Sequence, residues 1–304
     1  MIEVEYGVVQ AIADNPPVRR IVAPNPGPFT LTGTNTFIVG RGRVAVIDPG
    51  PLLPEHVEAL LAGLAGETVA AILITHTHLD HSPAAALLRD RTGAPTHGFG
   101  PHGTGRLAGD LPVGLNDAPL DDAGGDRAFA PDVVLADGAL VEGEGWALQA
   151  IHTPGHAANH LCFGLAGPQP GGRGWLFSGD HVMGWSSTVV SPPDGDMAAY
   201  MASLDRLLAR ADTRYLPAHG PAIDDPRARV QALIDHRRGR RRSILDRLAQ
   251  GEQTIEALVA AIYTGLAPAL HPAAGRNVLA HLLELQAAGL VVSDGLPGRR
   301  WRLA

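Results

Sequence analysis

Lysine is absent from this chain, and its 24 cationic side chains are all arginines. That excludes reaction classes that depend on a primary amine. A P-loop needs its lysine on the phosphates, and a Schiff-base enzyme needs a lysine nucleophile. Cysteine occurs once, as Cys162, so no internal disulfide can form and a reducing compartment is expected. This thiol sits within an apolar run, where a buried, inert role is expected rather than a nucleophilic one. No Gly-x-Ser-x-Gly elbow offers an alternative nucleophile. Aromatic residues make up only 5% of the chain, and beyond residue 235 they are Tyr263 and Trp301 alone. That is a poor platform for stacking the bases of a single strand. No apolar run approaches the ~20 residues that cross a bilayer. Met1–Pro16 also lacks a basic stretch followed by an apolar core, so a cytoplasmic location without a membrane partner is expected.

What is present suits a globular protein of one large or two smaller domains. The 304 residues are 45% hydrophobic and 18% charged. The net charge of −7 is unevenly spread. Residues 1–234 carry 14 arginines against 25 acidic residues, a charge of −11, whereas residues 235–304 carry 10 against 6, or +4. An anionic partner would therefore have to meet the C-terminal part. Apolar runs at Thr36–Gly40 and Arg43–Asp48 predict a hairpin across Arg41-Gly42. Val69–Thr75, Trp146–Thr153, Trp175–Ser178 and Arg214–Pro217 read as further strands, and Glu55–Leu64, Ala84–Arg91 and Met197–Arg210 as helices. Ser82 is the expected N-cap of the second helix, with Pro83 in its first position. Strands mixed with helices, without strict alternation, predict α/β layers around a mixed or antiparallel core. The Gly/Pro/Asp-rich stretch between about 98 and 131 reads as a surface loop, potentially a lid. Within it, Gly98-x-Gly100-x-x-Gly103 matches a dinucleotide fingerprint by letter only, since it contains Pro101 and opens no helix. Near residue 234 the pattern changes. Arg240–Gln250, Thr254–Tyr263 and Arg276–Ala288 are helical, then Gly289–Ser293 and Arg299–Leu303 flank a turn, which is the pattern of a winged helix. This predicts domains at 1–234 and 235–304.

The strongest signal is Thr75-His76-Thr77-His78-Leu79-Asp80-His81. Imidazole nitrogen and carboxylate oxygen suit zinc and its first-row neighbours. Burying that many ionisable groups together would cost several kcal/mol each unless a cation compensated them. Thr153-Pro154-Gly155-His156, Phe177-Ser178-Gly179-Asp180 and Leu216-Pro217-Ala218-His219 repeat one arrangement: a strand, a sharp turn, then one ligand-type side chain. Strand ends are rigid places from which to deliver ligands. Asp48 ends a strand the same way and is expected to orient a ligand or loop rather than bind. His152, His160 and His181, near these positions in sequence, are expected to be structural, with orienting a ligand or contacting substrate as the alternative, while His97 and His102 on the long loop could reach a substrate.

These motifs resemble the metallo-β-lactamase superfamily, whose signature is a His-x-His-x-Asp-His box followed by His, Asp and His. The resemblance implies an αββα sandwich. It also implies that His76, His78 and His156 bind one metal, that Asp80, His81 and His219 bind another, and that Asp180 bridges them. Asp80 and Asp180 would be the catalytic carboxylates. Two divalent ions follow, zinc first and manganese or iron as alternatives, with a bridging hydroxide that attacks a carbonyl carbon or a phosphorus. Asn25-Pro26-Gly27-Pro28, Gly33-Thr34-Asn35-Thr36 and His236-Arg237 are similar to the lactamase-beta-2-like subgroup, which also carries a C-terminal winged helix. That subgroup implies cleavage of single-stranded RNA. The ligand set also resembles glyoxalase II and acyl-carrier thioesterases, which implies a small acyl thioester substrate. A winged-helix binding protein with a purely structural metal site is the third reading. Arg237, Arg238, Arg240, Arg241 and Arg242 are expected either to pair with the acidic domain or to form a phosphate-binding stripe with Arg299, Arg300 and Arg302. Any self-association is expected as a homodimer through the winged helix.

Overall fold

A computed structural model describes residues 4–106, 124–166, 174–295 and 300–304. The first sheet runs β1 (Gln10–Asp14), β2 (Pro17–Val22), β3 (Asn35–Val39), β4 (Arg43–Ile47), β5 (Thr68–Leu73), β6 (Thr96–Gly98) and β7 (Val133–Val134), each beside the next. Its first four strands are antiparallel, including the expected hairpin, and the remainder are parallel. Parallel strands need crossovers, and α1 (Pro54–Gly63) and α2 (Ala84–Thr92) supply those from β4 to β5 and from β5 to β6. The second sheet holds β8 (Leu140–Gly143), β9 (Trp146–His152), β10 (Leu161–Leu165), β11 (Trp175–Gly179) and β12 (Arg214–Pro217) in the spatial order β12-β11-β10-β9-β8. Only β11 and β12 are parallel, joined through α3 (Met197–Leu208).

Why these sheets stack follows from alternation along the strands. Phe37, Val39, Ala45 and Ile47 face Leu148, Ala150, Phe163 and Phe177 of the second sheet in one buried core. Ile38, Val44 and Val46, one residue out of phase, pack with Leu60 and Leu88 of α1 and α2. On the other side Ile151, Cys162 and Leu176 meet Tyr200, Leu204 and Leu207 of α3 and Val230 and Leu233 of α4 (Pro226–Leu248). Both faces of the central strands are thus buried, which is why those strands read as continuous apolar runs, and the layers are αββα.

Beyond the sandwich lie α5 (Ile255–Ile262), α6 (His271–Ala287) and the antiparallel pair β13 (Val291–Ser293) and β14 (Trp301–Leu303). Leu258, Val278, Leu282, Val291 and Trp301 close a small core with Ile244 and Leu248 of α4. Position 234, where the sequence changes character, falls inside α4, which is continuous from Pro226 to Leu248. The long α4 serves both cores.

Two local expectations are corrected. Ser82 does not cap α2; its hydroxyl donates to Asp126 Oδ2 at 2.7 Å, and Pro83 holds the cap position. The Gly/Asp-rich stretch is also ordered at both ends. Phe129 is buried, Leu79 N–H donates to Gly124 O at 2.8 Å, and Asp126 N–H donates to Thr77 O at 2.7 Å. The stretch gains order from the hexapeptide rather than from its own apolar area. Residues 107–123, the centre of the potential lid, lie outside the described residues, as does Arg299.

The buried histidines set an acid limit on stability. Burial, reinforced by Arg237 and Arg241 nearby, pushes His281 down from 6.5 to about 3. Between those values the folded chain binds fewer protons than the unfolded one, so stability is full above pH 6.5 and falls on acidification. His281 alone should cost about 2 kcal/mol between pH 7 and pH 5. Urea midpoints across this range should fall steadily, with a shallower slope in His281→Leu. A flat profile would refute the assignment.

Candidate metal centre

Each candidate side chain stands where a strand ends. His76, His78, Asp80 and His81 follow β5, while His156 follows β9 and its turn. Asp180 follows β11 and His219 follows β12. The sheets converge at this edge, so all seven arrive in one place. His76 Nε2 lies 2.9 Å from His78 Nδ1, which lies 3.1 Å from His156 Nε2. On the other side His219 Nε2 is 3.2 Å from Asp80 Oδ2, and His81 Nε2 is 3.5 Å from Asp80 Oδ1. Asp180 stands between the halves. Its Oδ2 is 3.6 Å from both His81 Nε2 and His156 Nε2, and its Oδ1 is 3.3 Å from His219 Nε2. The groups His76/His78/His156, His76/His81/Asp180 and Asp80/His81/His219 each place their ligand atoms within 4.8 Å of one another.

The outer ring nitrogens fix which atoms face inward. His81 Nδ1 meets Asp48 Oδ2 at 3.0 Å, His156 Nδ1 meets Val189 O at 2.7 Å, and His219 Nδ1 meets Gly33 O at 3.2 Å. With each Nδ1 held outward, Nε2 faces the centre and is the nitrogen that a metal would take, displacing the proton that the carboxylates favour on His81 and His219. Asp48 also accepts the backbone N–H and the hydroxyl of Thr75 at 2.8 and 2.7 Å. Its φ of +49° is uncommon for a residue other than glycine. Asp48 therefore has the orienting position expected of it.

Other neighbours hold the turns. The Asn35 amide donates to Pro217 O and Gly220 O at 2.9 and 3.0 Å, tying β3 to the His219 turn. Gly155 has φ +142°, and a Cβ there would lie 2.3 Å from Tyr200 Cα, so only glycine lets α3 approach. His160 takes the ligand-orienting alternative over a purely structural role: its Nε2 accepts the Asp180 N–H at 3.2 Å. A Cβ on Gly179 would meet that same nitrogen at 2.5 Å. His152 stacks on Phe99 at 3.8 Å, and His181 packs on Tyr200 at 4.5 Å. His102 reaches Thr77 Oγ1 at 2.9 Å and Arg106 at 3.0 Å, bracing the hexapeptide, and His97 Nδ1 faces Pro95 O. Spacing alone could not reveal the contacts of His102 with Thr77, His152 with Phe99, His160 with Asp180 and His181 with Tyr200, because they join residues 19 or more apart in sequence.

Charge is divided between the two halves. Burial, with His81, His78 and His156 close by, holds His76 well below the usual imidazole range, and burial with His78 pushes His156 down to about 4. In the other half burial opposes charge, but carboxylates outweigh it. Asp180 and Asp80 raise His219 to about 10, and Asp80, Asp180 and Asp48 hold His81 well above its ordinary value. The same pairing overcomes burial to keep Asp80 and Asp180 ionised. At the centre, His81 Nε2 and Asp180 Oδ1 are buried without a hydrogen-bond partner among the described residues. Leaving such atoms unpaired costs about 1–3 kcal/mol each, which a cation would offset. Tetrahedral zinc with nitrogen at ~2.05 Å separates its ligands by roughly 3.3 Å, close to the spacing of the three imidazoles. The donor set fits divalent metal.

The five arginines do not share one environment. Arg237 is buried and bonds to Thr188 O and to Asn277 Oδ1 rather than to an acid. Arg240 lies 4.3 Å over Tyr263 and donates to Ile262 O, and Arg241 pairs with Glu284 at 3.1 Å. Only Arg238 and Arg242 of the five are exposed.

Comparison with known proteins agrees with this architecture. The metallo-beta-lactamase superfamily model matches residues 29–219, and the beta-lactamase associated winged helix domain matches residues 254–301. A beta-lactamase-like protein 2 homolog of Caenorhabditis elegans is 32% identical over 290 residues, 93% of this chain and 89% of that protein. An atrochrysone carboxyl ACP thioesterase of Aspergillus chevalieri is 34% identical over 242 residues, 78% of this chain and 68% of that protein. A beta-lactamase domain protein from Burkholderia ambifaria superposes with a TM-score of 0.78 at 21% identity, covering 100% of this chain and 96% of its own. The chain belongs to the metallo-beta-lactamase superfamily of hydrolases, with a C-terminal winged helix domain.

Proposed function

We propose that the chain is a dinuclear metal-dependent hydrolase acting on a small acyl thioester or ester. The observation that carries the metal assignment is the convergence of His76, His78, Asp80, His81, His156, Asp180 and His219 at one edge of the sheets, with the outer nitrogens of His81, His156 and His219 already occupied. His76, His78 and His156 would hold one ion, Asp80, His81 and His219 the other, and Asp180 both. Divalent ions supply Lewis acidity and a water acidic enough to attack near neutral pH.

The remaining work falls to the protein. Asp48 holds the His81 ring with Nε2 inward, and His160 fixes the Asp180 backbone so that its carboxylate spans both halves. Asp80, half-buried and held ionised, would accept a hydrogen bond from the attacking water. Leu79, 49% exposed between His78 and Asp80, offers an apolar surface beside the reacting atoms. An acyl chain suits that surface better than a polyanion does. The commitment of Arg237, Arg240 and Arg241 to internal partners likewise removes most of the stripe a phosphodiester backbone would follow, and the thioesterase relatives agree with the acyl reading.

Turnover of a panel of acyl thioesters beside a short single-stranded RNA tests the choice. Thioester hydrolysis that changes little between low and high salt is the expected result. RNA cleavage that weakens steeply with salt, without thioester turnover, would replace the acyl reading with the phosphodiester one. We also place the domain change within α4, near residue 234, with that helix as the shared element.

A further inference from the structure

The C-terminal helices reach into the metal centre through one short segment. Arg237 on α4 is 2% exposed and donates through its two terminal nitrogens, to Thr188 O and, at 3.0 Å, to Asn277 Oδ1. Asn277 on α6 uses the same oxygen to accept the Val190 N–H at 3.1 Å. Thr188 and Val190 are thereby pinned on either side of Val189. The pinned segment presents the Val189 carbonyl to His156 Nδ1 at 2.7 Å and the Thr188 hydroxyl to the same nitrogen at 3.0 Å. The Tyr200 ring lies 5.2 Å from the Arg237 guanidinium, and the Tyr200 backbone comes so close to Gly155 that a Cβ there would lie 2.3 Å from Tyr200 Cα, so the residue under Arg237 also abuts the turn carrying His156.

We propose that Arg237 and Asn277 are positioning residues for the three-histidine half of the centre, so that α4 and α6 set the tautomer and direction of His156 through residues 188–190. The inference rests on the reading of His156 as a ligand. It makes the winged-helix part a component of the metal site rather than only an appended module. Chemically, one side-chain oxygen and one guanidinium, both nearly sealed from water, fix the segment whose Val189 carbonyl meets the His156 Nδ1. A contact of this kind tunes metal affinity even though neither residue touches the metal.

The test uses the full chain, stripped with a chelator and titrated with zinc in competition with a chromophoric chelator. In Asn277→Leu one of the two zinc constants should weaken by about tenfold, with the other within about twofold. Asn277→Asp keeps the accepting oxygen and should restore it. Thr188→Val should weaken the same constant, and combining it with Asn277→Leu should cost less than the product of the two single effects. If Asn277→Leu does not fold, Asn277→Ala makes the same comparison. Unchanged zinc constants in a folded but less stable Asn277 variant would overturn the proposal and leave a structural role. His156→Ala provides the separate control: if it binds both ions as the parent does, the ligand reading itself fails.

Discussion

Asp180→Asn should lower turnover by about 10³-fold, some 4 kcal/mol in the barrier, while the chain stays folded. The substitution changes almost no volume. It replaces one carboxylate oxygen by an amide NH₂, which cannot ligate, and removes the charge that both halves share. The Oδ2 of Asp180 is 3.6 Å from an imidazole nitrogen in each half, and its Oδ1 is 3.3 Å from His219, so no neighbouring carboxylate can substitute for it. The backbone bond to His160 survives, so the turn should persist. Circular dichroism should match the parent, and bound metal should fall from about two to about one per chain. The loss should be the same for any substrate, because the carboxylate acts on the ions and not on the leaving group. Full activity in Asp180→Asn would remove the bridging assignment.

Stripping the metal should lower the melting temperature by on the order of 15 °C. An ion at ~10³ times its dissociation constant stabilises the folded state by about 4 kcal/mol, and two ions act together. For a chain of this size each kcal/mol moves the midpoint by roughly 2–4 °C. The physical origin is local: His81 and Asp180 are buried charges that, with half-buried Asp80, partly offset one another, and among the described residues His81 Nε2 and Asp180 Oδ1 have ion-pair neighbours at 3.3–3.6 Å but no hydrogen-bond partner. Re-addition of zinc, manganese or iron should restore the midpoint in order of affinity, which also identifies the preferred ion. A midpoint indifferent to chelation, with metal content confirmed at zero, would mean that the ion pairs alone satisfy the cluster.

Strand-end motifs were legible because their information is local. A run such as Val69–Thr75 followed at once by ligand-type residues needs no distant partner to be read. The β3–β4 hairpin and α1 are of the same kind. Ser82 shows where such reading stops: a serine before proline is a good cap by propensity, yet Asp126, 44 residues away, takes its hydroxyl. The arginine stripe shows it again. Five arginines in six positions look like one charged face, but helical periodicity turns Arg237 into the protein and Arg238 and Arg242 toward solvent.

By its order of residues alone this chain determined the chemistry available to it: no lysine, one inert thiol, seven ligand-type side chains at the ends of strands, and a superfamily signature that implies a layered fold. Those properties depend on residue identity and short spacing, which survive without coordinates. Tertiary structure alone decided the outer contacts: Asp48 on His81, Gly33 on His219, His160 behind Asp180, and Arg237 with Asn277 behind His156. Each joins segments that only the stacking of two sheets and the reach of α4 and α6 bring within 3 Å or so, and no periodicity along the chain encodes such a meeting.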